Sequence, residues 1–253
     1  MNLYNAPSFF ILMKKIQKLT LILFIALFTG SIGFVGWATF NTQKATEPAI
    51  TVLNQNNVQL KDGLLVFYPN STTERGLIYY PGGLVDPEAY AVTAQGIADS
   101  GILVIVPKMP LNLAFLDINR ADGVISKYPE INTWVIGGHS LGGAMAAEYA
   151  KNNVDKVHGL IMLASYPAKN EDFVNFSIPI LCIVGSNDPG APKQEAFYET
   201  ASDSATLFVI EGGNHRQYAD YSYQNNDGNA TISAAEQQAE IITAVISFLG
   251  TLR

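Results

Sequence analysis

This chain is short of cysteine, histidine and charge. Its one cysteine, Cys182, rules out an internal disulfide, and its place in the apolar run from Ile178 to Val184 marks it as core. No Cys-x-x-Cys pair and no His/Cys cluster is present, so no metal or other cofactor is expected. Three histidines, His139, His158 and His215, leave few candidates for acid–base work. Charged residues make up 15% of the 253, with a formal net charge of −7. The lysines at 14, 15 and 18 precede the first long apolar run, so the remainder is more acidic still. That balance excludes nucleic acid as a partner. There is no internal repeat and no low-complexity tract. What the chain does have is apolar residues, 48% of the total, which makes it globular.

Leu19 to Phe40 carries no charged side chain and is long enough to cross a bilayer as a helix. The flanking lysines place its N-terminus in the cytoplasm and the rest of the chain outside. The expected organisation is a cytoplasmic tail (1–18), a single-pass signal-anchor (19–40), a spacer (41–57) and an extracytoplasmic domain (58–253). A cleaved signal peptide competes with the anchor, because Gly36-Trp37-Ala38 offers a small-x-small cleavage site. The apolar run is nevertheless longer than a usual signal core.

From Val58 onward the pattern alternates. Val58–Leu60 and Leu64–Tyr68 flank an Asp-Gly turn and read as a β-hairpin. Short apolar strands follow at Gly76–Tyr80, Ile102–Pro107, Trp134–Gly137, His158–Ala164, Ile178–Val184 and Ala205–Ile210. Helical patterns lie at Glu88–Ser100, Asn119–Tyr128, after Ser140 and at Ala234–Leu249. This order predicts an α/β fold: a mostly parallel central sheet with helices on both faces. In such sheets chemistry gathers at the carboxyl ends of the strands.

After the strand ending at Gly137 comes Gly138-His139-Ser140-Leu141-Gly142, a G-x-S-x-G pattern between strand and helix. This is the context of a nucleophile elbow, with Ser140 as nucleophile. A serine needs a base. His139 is its sequence neighbour and points elsewhere on a tight turn, and His158 lies at the wrong end of a strand. His215 follows a strand in the loop Glu211-Gly212-Gly213-Asn214 and is the expected base. The carboxylate that orients it should follow a strand between the two, which selects Asp188; Glu171 and Asp172 come before the strand and are weaker rivals. The oxyanion donors are expected to be the N–H groups of Leu141 and Gly83, with Leu84 as the alternative to Gly83.

These residues resemble the α/β-hydrolase superfamily from about Leu64 to the C-terminus. The anchors are Tyr80-Pro81-Gly82-Gly83 with Asp86-Pro87-Glu88-Ala89-Tyr90, Gly138-His139-Ser140-Leu141-Gly142-Gly143, Gly185-Ser186-Asn187-Asp188 and Glu211-Gly212-Gly213-Asn214-His215. The chain is most similar to the compact branch around dienelactone hydrolases, with serine in place of their cysteine. It departs at Pro81, where many relatives carry His. The resemblance implies an α/β-hydrolase fold and a serine hydrolase acting on a small-molecule carboxylic ester or related acyl compound. Acyl transfer, or halogenation on the same triad, would use the same parts, and a non-catalytic binding protein could use the same fold. The short connection between His158–Ala164 and Ile178–Val184 cannot build a helical lid, so no large cap domain is expected. The loop Arg216–Ser233, with Tyr218, Tyr221 and Tyr223, is expected to form one rim of the site.

Overall fold

The computed structural model describes residues 7–252 and divides the chain into two units, one ending at Asn41 and one starting at Thr42. The first is a single helix, α1 (Pro7–Asn41). Its stretch Phe9–Asn41 is long and apolar enough to cross a membrane, a test that a signal sequence near an N-terminus also passes. Large apolar side chains stand exposed along it, Leu27 at 72% and Phe24 at 66%. The helix begins at Pro7 rather than Leu19, so Lys14, Lys15 and Lys18 ride on it. The first part of the expected tail lies outside the described residues.

The second unit is built on one sheet of β1 (Val58–Lys61), β2 (Leu64–Phe67), β3 (Arg75–Tyr80), β4 (Leu103–Pro107), β5 (Thr133–His139), β6 (Leu160–Leu163), β7 (Ile180–Gly185) and β8 (Ala205–Ile210). The spatial order is β1-β2-β4-β3-β5-β6-β7-β8. The β1–β2 and β2–β4 pairs are antiparallel and every other pair is parallel. Alternate residues of each strand face opposite layers, as the period of two requires. Leu77, Tyr79, Val135, Ile161, Leu181 and Ile183 pack in one core with α3 (Ala91–Ala98) and α7 (Ala234–Thr251). Ile78, Tyr80, Trp134, Ile136, Met162 and Cys182 pack in the other, with α4 (Arg120–Lys127), α5 (Leu141–Asn152) and α6 (Ala191–Thr200). Burial pushes the Cys182 thiol up to about 12, so it stays protonated.

The stretch 41–57 differs from the expected spacer. From Thr42 it belongs to the second unit. It bridges Gln43 to Val85 and Ala45 to Tyr221, then forms α2 (Glu47–Leu53), whose Ala49 is fully buried. A short segment with one proline leaves little periodic signal, but its backbone groups find partners on the body: Gln43 N–H donates to Leu84 O, and Asp86 N–H to Gln43 O.

Candidate active site

Ser140 follows β5 and opens α5. Its backbone lies at φ 54, ψ −123, a positive-φ conformation that side chains rarely adopt. The turn allows nothing wider at its flanks. A Cβ on Gly138 would stand 2.6 Å from Tyr80 O and 2.7 Å from Gly143 N, and one on Gly142 would run into the Pro81 and Tyr80 carbonyls. Ser140 N–H donates to Leu163 O at 2.9 Å, and the Ser165 hydroxyl donates to Ser140 O at 2.7 Å. Two neighbouring elements thus hold the elbow. Ser165 gave no signal in the sequence, because its role depends on the β5–β6 pairing.

Asp188 follows β7 and His215 follows β8. His215 Nδ1–H donates to Asp188 Oδ2 at 2.9 Å. The same carboxylate accepts Gly190 N–H at 2.7 Å and the Gln194 amide at 3.0 Å. Burial pulls the Asp188 pKa upward. The His215 hydrogen bond and charge, with the Gly190 and Gln194 donors, outweigh that and hold it below the usual carboxylate value. Asp188 is therefore held as the carboxylate beside His215 Nδ1.

The His215 loop is clamped from several sides. Asp227 accepts the backbone N–H groups of His215, Arg216 and Gly228 at 2.8–2.9 Å. Gln237 of α7 takes both polar groups of the Asn214 backbone, at 3.0 and 2.8 Å. Neither residue carried a motif, since each acts on backbone far away in sequence.

Ser140, Asp188 and His215 line one cavity of about 570 Å³. Leu141, Ala144, Met145, Ala164, Pro167 and Ala168 give it an apolar wall, and Gln224, Asn225, Asn226 and Asp227 an amide-rich rim. Among the described residues no lysine or arginine lines it. The 216–233 loop therefore contributes the rim through Gln224–Asp227 and not through its tyrosines: Tyr218 and Tyr221 are buried in the core, and Tyr223 is exposed away from the cavity lining. The β6–β7 connection carries one short 3₁₀ turn, Asn170–Phe173.

Leu141 is the first residue of α5, where backbone N–H groups have no acceptor within the helix. Gly83 packs against the Leu141 side chain, and its N–H has no acceptor among the described residues. Leu84 N–H is already committed to Asn112 O at 2.7 Å. Three of the rival residues are placed elsewhere. His158 is exposed, just ahead of β6. His139 is 1% exposed with both ring nitrogens engaged. Asp172 pairs with Lys151 at 3.0 Å, and the Glu171 side chain lies outside the described residues.

The architecture recurs in solved structures. An esterase from the archaeon Pyrobaculum calidifontis superposes with a TM-score of 0.58 at 14% identity, over 80% of this chain and 90% of that one. Est1E from Butyrivibrio proteoclasticus gives 0.56 at 14% identity, over 76% and 96%. MenH from S. aureus gives 0.57 at 12% identity, over 74% and 99%. No curated protein sequence matches. The model of the alpha/beta hydrolase family matches residues 76–239, which contain Ser140, Asp188 and His215. The chain belongs to the alpha/beta hydrolase family.

Proposed function

We propose that this protein hydrolyses a neutral carboxylic ester through a Ser140–His215–Asp188 triad and an acyl-enzyme. The observation that carries the reading is the Asp188–His215 hydrogen bond opening onto the same cavity as the strained Ser140. Ser140 Oγ attacks the acyl carbon, and His215 Nε2 takes its proton and returns it to the leaving alcohol. Asp188 stabilises the imidazolium between the two steps. The N–H groups of Leu141 and Gly83 receive the oxyanion. Water then attacks the acyl-enzyme by the same route. Esterases among the structural neighbours, one of them also solved with ferulic acid bound, are consistent with this chemistry.

The cavity supports a neutral substrate, because among the described residues no lysine or arginine lines it to pair with a charged acyl group. Leu141, Ala144 and Met145 form one stripe of α5 along its wall. Beyond Met145 a side hollow of about 200 Å³ shares Ala144, Met145, Pro167 and Ala168 with the cavity. An apolar tail of the ester would run along these four shared residues and stop at Glu148, Lys151, Lys169 and Asp172, which with Phe173 line the rest of the hollow. Helix α1 anchors the protein, with Lys14, Lys15 and Lys18 on the cytoplasmic side and the catalytic unit outside.

Steady-state hydrolysis of p-nitrophenyl esters of increasing chain length tests the reading. Wild type should turn them over, and Ser140→Ala and His215→Ala should each lose about three orders of magnitude or more in kcat. Equal rates in all three would exclude the triad.

A further inference from the structure

His139 has no part in the steps above, yet its ring joins the two loops that carry them. It is 1% exposed. Its Nε2 lies 3.1 Å from His215 O, and a carbonyl only accepts, so Nε2 carries the proton. In the neutral ring Nδ1 is then bare and accepts the Tyr90 hydroxyl at 2.9 Å. The Tyr90 oxygen in turn accepts Gly82 N–H at 2.7 Å. Every proton has one place in this sequence: Gly82 N–H to Tyr90, Tyr90 O–H to His139, His139 Nε2–H to His215 O. Burial keeps the imidazole neutral, as the arrangement requires.

The ends of the relay are functional. Gly82 precedes Gly83 in the oxyanion loop, and His215 is the base. Packing fixes the middle. The His139 ring lies on Tyr218, centroids 5.3 Å apart and 13° from parallel, and Tyr218 donates to Ile183 O of β7, the strand that leads to Asp188. A Cβ on Gly82 would stand 2.9 Å from both His139 Nδ1 and Tyr90 Oη, so the oxyanion loop is seated directly on the pair.

We propose that His139 is a positioning residue: through Tyr90 and the His215 carbonyl it locks the oxyanion loop and the general base into one register before substrate binds. The proposal rests on the triad reading above. Misplacing catalytic groups by about 1 Å costs about 100-fold in rate, so a side chain that touches no substrate can govern kcat.

The test uses the full-length chain in detergent with p-nitrophenyl butyrate. Tyr90→Phe removes one hydroxyl and keeps the ring. His139→Gln keeps an N–H donor for His215 O, and His139→Ala removes it. Tyr90→Phe should lower kcat about ten-fold and leave KM within about two-fold. His139→Ala should lower kcat about 100-fold, with His139→Gln recovering about ten-fold of that loss. Adding Tyr90→Phe to His139→Ala should cost less than Tyr90→Phe costs alone, since the link to His139 is already cut and only the Gly82 N–H contact is left to lose. If His139→Ala does not fold, Tyr90→Phe and His139→Gln carry the test. Unchanged kcat in both, losses expressed in KM, or independent losses in the double variant would each overturn the proposal. A wild-type chain that neither turns over esters nor takes a fluorophosphonate at Ser140 would remove the triad reading and the relay's role with it. An active, labelled wild type with indifferent variants removes the relay alone.

Discussion

Ser140 holds a backbone conformation that costs a non-glycine residue about 1–3 kcal/mol. Ser140→Ala keeps the Cβ and therefore the strain, whereas Ser140→Gly releases it. In urea unfolding the glycine variant should exceed the alanine variant by about 1 kcal/mol; matching midpoints would show that the elbow stores no strain. His139 makes a second prediction at this scale. Burial first, and His215 second, hold its pKa well below the ordinary 6.5, while Asp188 acts in the opposite sense and is outweighed. Tyr90 and Tyr218 complete the groups against the ring. Below pH 6.5 the unfolded chain takes a proton that the folded one refuses. Stability from this residue is therefore complete above 6.5 and falls as pH drops, by up to about 1.4 kcal/mol per unit, until the folded value is reached. His139→Gln should flatten that part of the curve, measured by urea unfolding between pH about 7.5 and 5.5. Asp188 acts in a separate window. Its folded pKa lies below 3.8, so its contribution is complete above 3.8 and is lost only as pH falls through that lower value.

At the scale of elements, the strap before β1 makes the sharpest claim. Gln43 pairs with the backbone of residues 84–86, Ala45 and Thr46 with that of Tyr221 and Asp220, and Lys44 meets Asp86 at 2.9 Å. A chain beginning at Thr42 should keep its activity, whereas one beginning at Val58 should lose both stability and kcat; equal kcat in the two would show that the strap is dispensable. Met145 of α5 separates the catalytic cavity from the side hollow. Met145→Ala should widen the apolar wall and favour an ester chain longer by about one or two methylenes, each adding about four-fold to kcat/KM until the charged lining of the hollow is reached. Series that vary the acyl and the alcohol portion separately would show which part enters the hollow. The strands from β2 onward were legible because each contains a short apolar run between turn residues, and the candidates Ser140, Asp188 and His215 were chosen because each comes in the stretch after such a strand. Helices α2 and α6 were not. The first is a seven-residue piece, and the second buries only Ala191, Gln194 and Phe197 of a polar sequence. Ser165, Asp227 and Gln237 escaped for another reason: each acts on bare backbone far away in sequence, and the sequence holds no local trace of such contacts; Tyr90 stood in an anchor of the resemblance, but its contact with His139 did not show there.

For the whole molecule, the proposed arrangement is an N-terminal anchor followed by an extracytoplasmic hydrolase unit. Carbonate washing of membranes should leave the full-length chain in the pellet, and protease added to the outer face should reach the catalytic unit. Release by carbonate would point to a cleaved signal sequence. The central claim is chemical, that Ser140 is activated by His215 and Asp188. The most direct measurement is reaction of the full-length chain with a fluorophosphonate, followed by mass mapping of the adduct in wild type, Ser140→Ala, His215→Ala and Asp188→Asn. The account predicts one adduct on Ser140, absent in the first two variants and strongly slowed in the third. A folded wild type that takes no adduct, or takes it elsewhere, would contradict it.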